Sequence, residues 1–133
     1  MNEQEQSINR DRQRFRAWNK MEKVLHYDAE QTYDFMYGSP VICKFSFGEL
    51  LEDDNYVVEQ CLGVKDKNGK LIYEGDIIEA ISICFGTNSK FEIYSDGLQW
   101  RMRDLSNSKS CIFSPGTYCC KVVGNIHEGI LEK

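Results

Sequence analysis

The sequence predicts a mostly β protein. Three observations point there. Short apolar stretches rich in Val, Ile, Phe and Tyr recur through the chain. Glycine- and asparagine-bearing turns separate them, giving about eight to ten short strands. Several stretches alternate apolar and polar residues, the period of a strand with one buried face. A chain of 133 residues fits one domain, and 41% hydrophobic with 12% aromatic content suffices for a packed core. The expected architecture is therefore a small barrel or sandwich, with room for short helices. Two subdomains, 14–63 and 64–133, are compatible with the length.

Residues 1–13 are almost wholly polar, with Ile8 the internal exception. They read as an arm, either a frayed helix or disordered. At Arg14-Phe15-Arg16-Ala17-Trp18-Asn19 the pattern changes to a strand. Its alternation predicts aromatics inward and Arg14 and Arg16 outward, with Trp18 breaking the strict period. Asn19 to Lys23 is a polar loop, and Val24 to Tyr27 returns as the second strand of a hairpin. Thr32 to Tyr37 places Tyr33, Phe35 and Tyr37 at alternate positions, a third strand. Gly38-Ser39-Pro40 turns the chain into a fourth, Val41 to Phe47. Gly48 to Asn55 carries four acids and reads as one helical turn or a loop.

Tyr56 to Val64 is β-branched and apolar, hence a strand. Asp66-Lys67-Asn68-Gly69-Lys70 follows as the sharpest turn signal in the chain. Asn-Gly tolerates positive φ, and Asp66 can accept from backbone N–H groups ahead of it. Gly75-Asp76 is a second break, from which Ile77 to Phe85 runs as a long strand. Positive φ is expected at Gly69 or Gly75, and carboxylate-to-backbone bonds at Asp66 or Asp76. Ile77, Ile81, Ile83 and Phe85 are expected to face a core, with Ile78, Ala80 and Cys84 on the covered reverse side. Residues 86–89 form a turn. Lys90 to Tyr94 and Gly97 to Arg103 pair across Ser95-Asp96-Gly97. Asp104 to Ser110 and Ser114-Pro115-Gly116 are loops, and Tyr118 to Ile126 is the last strand. His127 to Lys133 is a short tail, helical or irregular.

Charge and cysteine content narrow the function classes. The net charge of −5 disfavours bulk non-specific binding to nucleic acid. One local exception is the stretch holding Arg10, Arg12, Arg14, Arg16, Lys20 and Lys23, which offsets only Asp11 and Glu22. It reads first as a solvated face and second as a nucleic-acid-binding face that mixes cations with Phe15 and Trp18. Six cysteines occur without C-x-x-C spacing or a secretion signal, so buried thiols are expected rather than disulfides. No run approaches the roughly 20 apolar residues of a membrane span. The expectation is a soluble cytoplasmic protein.

No motif demands catalysis or a cofactor. Asp66-x-Asn68-Gly69 opens like a calcium loop, but the glycine comes too early and Ile77 stands where the bidentate Glu belongs. His26 and His127 are isolated, and the cysteines lack zinc spacing. Phosphate-loop and nucleophile-elbow motifs are absent. Glu74 and Asp76 could do acid–base work, yet beside a turn they are better explained as backbone acceptors. No catalytic residue, metal or cofactor is expected.

Three blocks carry a family resemblance. Arg14-Phe15-Arg16-Ala17-Trp18-Asn19 resembles the opening of the YopX-like proteins of phages and prophages. Val64 to Lys70, followed by Ile72-Tyr73-Glu74-Gly75-Asp76-Ile77-Ile78, resembles that family's central motif. Val122-Val123-Gly124-Asn125-Ile126-His127-Glu128 resembles its closing segment. The resemblance spans Arg14 to Glu128 and leaves 28–60 and 86–118 unaligned. It implies one mostly β domain over 14–133, with an SH3-like small barrel after the central motif, in a protein of a bacterial host cell. It implies a tendency to form homo-oligomers and no catalytic residues. Asp66, Asn68, Gly69, Tyr73, Gly75, Asp76, Gly124 and Asn125 are then structural motif positions. The function expected is a non-enzymatic protein-interaction module; the alternative is nucleic-acid binding through the basic N-terminal face.

Overall fold

A computed structural model describes residues 3, 6, 10–31, 33–37, 41–45, 47–81, 88–114 and 120–131. The N-terminal hairpin forms as its sequence requires. Strands β1 (Phe15–Asn19) and β2 (Val24–Tyr27) pair antiparallel, Arg16 opposite Tyr27 and Asn19 opposite Val24. Asn19 stabilises the loop between them by accepting from Glu22 N–H at 3.0 Å. Strands β3 (Tyr33–Tyr37) and β4 (Val41–Phe45) form a separate antiparallel pair. The turn expected at 38–40 lies outside the described residues. Helix α1 (Phe47–Glu52) resolves the helix-or-loop alternative over Gly48 to Asn55, and buries Leu50.

Strand β5 (Tyr56–Lys65) pairs with β1, and a short strand, β6 (Leu71–Tyr73), pairs with β5. The first sheet thus has the order β2-β1-β5-β6. The sequence pattern did not reveal β6, because three residues between a turn and a glycine carry no period. The first sheet ends at Tyr73 and the second begins at Asp76.

The second sheet comprises β7 (Asp76–Ile81), β8 (Asn88–Ser95), β9 (Trp100–Asp104), β10 (Ser110–Ile112), β11 (Lys121–Asn125) and β12 (Gly129–Ile130). Its order is β10-β9-β8-β7-β11-β12. Asn88 and Ser89 belong to β8 rather than to a turn, while 82–87 and 115–119 lie outside the described residues. The tail expected to be helical or irregular contains β12, which doubles back on β11. That approach is close because Gly124 has no side chain: a β-carbon there would meet Gly129 O at 2.0 Å.

The main core draws on both sheets. Leu62 and Ile72 from the first pack with Ile78, Ala80, Phe91, Ile93, Met102, Phe113 and Val122. The parity of β7 is opposite to expectation. Ile78 and Ala80 enter this core, whereas Ile77 is buried outside it. Cover on both faces of β7 removes the contrast that would have fixed its phase. A smaller core gathers Ala17, Ala29, Leu50 and Tyr56, with Phe15 and Val58 against it. Strand β5 therefore serves two cores. Its register with β6 shifts between Cys61 and Lys65, where Gly63 has φ of 84°. Such a bulge bends a strand from one packing surface to another. Among the described residues Cys61, Cys111 and Cys120 are buried, as expected.

Candidate functional site: a buried ionic clasp beside a basic groove

Arg16 is the second residue of β1, where alternation predicts a solvated side chain. It is instead 1% exposed. Ala17 faces the smaller core, and Arg16 points the other way, under the start of the second sheet. This corrects its assignment to a nucleic-acid face: a guanidinium so enclosed cannot meet a phosphate. Arg10, Arg12, Lys20 and Lys23 are exposed, and Arg14 is half-buried.

The Arg16 guanidinium is held from three sides. Nε donates to Glu59 Oε1 at 2.9 Å, Nη1 to Asp76 Oδ1 at 2.6 Å, and Nη2 to Glu74 O at 3.0 Å. The Tyr73 and Tyr27 rings flank its Cζ at 5.1 and 6.0 Å. Glu59 bonds through its second oxygen to His127 Nε2 at 3.1 Å, and the His127 ring stacks on Trp18 at 4.9 Å. Asp76 uses its second oxygen to accept from Tyr73 N–H at 2.8 Å. Burial disfavours the charge on Arg16, but Asp76 and Glu59 outweigh it and push its pKa up. Burial also pushes the Asp76 carboxyl up, and Arg16 pulls back only part of that shift. Glu74 is likewise raised, mainly by burial.

The clasp joins all three sequence blocks. The opening block supplies Arg16 and Trp18, the central block Tyr73, Glu74 and Asp76, and the closing block His127. Glu59 completes it from β5, and sequence analysis missed it. The available signal was a carboxylate within an otherwise apolar strand, which needs a cation when buried. Gly75 stands inside the same assembly with φ of 87°. Its N–H donates to Ile93 O at 2.7 Å, and its carbonyl accepts from Ile126 N–H at 2.9 Å. A β-carbon on Gly75 would lie 2.2 Å from Glu59 Oε2. With both carboxylates engaged by Arg16, the clasp cross-links β1, β5 and the start of β7.

The other motif positions shape turns. Asp66 Oδ1 accepts from Asn68 and Lys70 N–H at 2.8 and 2.9 Å. Its Oδ2 reaches Val122 N–H at 2.9 Å and ties the turn to β11. Gly69 has φ of 83°. Asn125 Oδ1 accepts from His127 and Glu128 N–H at 3.0 and 2.9 Å, shaping the turn into β12.

Next to the clasp lies a groove of about 700 Å³. Arg10, Asp11, Arg14, Tyr27, Asp28, Lys65, Lys70 and Tyr73 contribute to its wall. Arg14 is braced there by Asp11 at 3.0 Å and Asp28 at 3.2 Å. Lys65 and Lys70 flank the central turn and were not singled out by sequence, because their approach to Arg10 and Arg14 depends on the β1–β5–β6 pairing.

Curled sheets forming a half-barrel, joined by a buried ionic clasp, define a small mostly β protein of the barrel type. The chain belongs to the YopX family: the model described as "YopX protein" matches residues 14–130. Two solved structures are similar to it. Protein yopX from Bacillus subtilis superposes with a TM-score of 0.55 at 14% identity, covering 87% of this chain and 94% of that one. Protein EF1440 from Enterococcus faecalis gives a TM-score of 0.50 at 29% identity, covering 86% and 93%. A comparison with curated proteins yields no match.

Proposed function

We propose that the protein is a non-enzymatic, phage- or prophage-encoded β module of the bacterial cytoplasm that works through protein contacts, self-association first among them. The observation that supports this is the state of the second sheet's edges. Among the described residues, β10 and β12 each pair on one side only. Both carry exposed large apolar side chains: Ile112 at 47%, Ile130 at 43% and, just beyond β12, Leu131 at 64%. An open edge with apolar flanks is a template for strand addition by another chain. No helix among the described residues is long and apolar enough to cross a membrane.

Sedimentation across a range of concentrations tests the reading. The native chain is expected to form a defined oligomer, and Ile130→Lys with Leu131→Lys to shift it toward monomer. A strict monomer at every concentration overturns it. The second reading, nucleic-acid binding, keeps Arg10, Arg12, Arg14, Lys20 and Lys23 but loses Arg16 to the clasp.

A further inference from the structure

The geometry points to a nucleotide-binding site in the groove between residues 10–14, β2 and the Asp66–Lys70 corner. This site stands apart from the sheet edges invoked for self-association, so either can fail alone. Four cations, Arg10, Arg14, Lys65 and Lys70, line it against two carboxylates, Asp11 and Asp28. The local excess is positive in a chain whose net charge is −5. Arg10, Lys65 and Lys70 are exposed and able to meet an anion. Arg14 is held in place by its two acids, which orients a guanidinium edge instead of leaving it mobile.

The aromatic component distinguishes a nucleotide from a bare anion. Tyr27 is 41% exposed on the groove wall, and the buried Tyr73 supports it edge-on at 5.4 Å. An exposed ring with a fixed neighbour is a platform for a planar base, and stacking of this kind tolerates any base. Asp28, with a side chain 40% exposed, can accept from a sugar hydroxyl. The volume of about 700 Å³ lies within the usual range for small-ligand sites and accommodates one nucleotide unit. That unit is either a free nucleotide or one residue of a single strand, since both present a base, a sugar and a phosphate.

The test titrates the full chain by calorimetry with inorganic phosphate, adenosine monophosphate and oligothymidylate. Adenosine monophosphate is expected to bind more tightly than phosphate. Lys65→Ala with Lys70→Ala is expected to weaken it about tenfold or more, as the loss of charged contacts to phosphate requires. Tyr27→Ala should reduce its affinity toward that of phosphate, and Lys109→Ala, which is not part of the groove wall, should change nothing. Tighter, strongly salt-dependent binding of oligothymidylate would assign the site to single strands. A preference for the monophosphate would assign it to free nucleotide. The inference fails if none of the probes binds, or if the double lysine variant, shown folded by its amide spectrum, binds as the native chain does. Equal affinity for phosphate and monophosphate with no effect of Tyr27→Ala also overturns it, leaving only an anion site.

Discussion

Arg16 Nη1 donates to Asp76 Oδ1 at 2.6 Å, a bond between residues 60 positions apart that links the two sheets. Both side chains are almost wholly enclosed, at 1% and 3% exposure. Removing one partner of a buried pair leaves the other charge without water or counter-charge. Arg16→Leu strands the Asp76 and Glu59 carboxylates, so a loss of about 3–5 kcal/mol is expected from urea unfolding at neutral pH. A loss below about 1 kcal/mol would show that the clasp is solvated in solution, as exposed pairs are.

The pH response follows from the direction of the Asp76 shift. Its carboxyl is raised above the ordinary 3.8 by burial. The folded state then holds a proton that the unfolded state has released, so this group's contribution to stability falls as pH rises from about 3.8 through the raised value. Asp76→Asn should flatten that part of the profile. In Arg16→Leu the carboxyl rises further, so the cost of the substitution should shrink as pH falls toward 4. A cost that grows on acidification would contradict the burial of Asp76.

Gly69 and Gly75 offer a matched comparison. Both have positive φ, at 83° and 87°. A β-carbon on Gly69 meets nothing within 4 Å, so Gly69→Ala should cost only the backbone term, about 1–2 kcal/mol. At Gly75 the same atom would collide with Glu59, whose carboxylate is fixed by Arg16 and His127. Gly75→Ala should therefore be clearly more destabilising and should perturb Trp18 fluorescence through His127. Equal melting temperatures for the two variants would refute the close approach.

Asp66 holds its turn with one oxygen and β11 with the other. Asp66→Asn substitutes a donor at one of these positions, so a backbone N–H loses its acceptor at a cost of about 1–3 kcal/mol. Hydrogen exchange at Val122, Asn68 and Lys70 reads which one. Unchanged protection at all three amides would be inconsistent with the bonding described.

What the sequence disclosed follows the range of the interactions involved. The hairpin of β1 and β2, the Asp66–Lys70 turn and the positive φ at Gly69 and Gly75 rest on neighbours within a few positions. Local chemistry is enough to read them. Arg16 could not be placed, because its partners lie 43 and 60 positions away and its strand is covered on both faces. The alternation that marks a half-exposed strand then marks nothing. The same double cover reversed the expected phase of Ile77 and Ile78. Strands β6, β10 and β12 hold three, three and two residues, too few to show a period, and exist because longer neighbours offer them an edge. The basic groove escaped for the same reason as the clasp: Lys65 and Lys70 meet Arg10 and Arg14 only through tertiary pairing.

The double engagement of Glu59 sets an order of events during synthesis. Arg16 leaves the ribosome first, Glu59 and Asp76 follow, and His127 emerges later still, just after the Val122 amide that completes Asp66. A nascent chain that ends before β11 carries an unfinished corner and a carboxylate lacking its second bond. Its second sheet lacks β11 and β12, so one edge of β7 stays unpaired and the core around Leu62 and Ile72 is missing Val122. The fold is thus expected to commit only once the closing block is made, as long-range pairing implies. Chains stopped before Val122 should be digested rapidly by protease, and those extended beyond Leu131 should resist it.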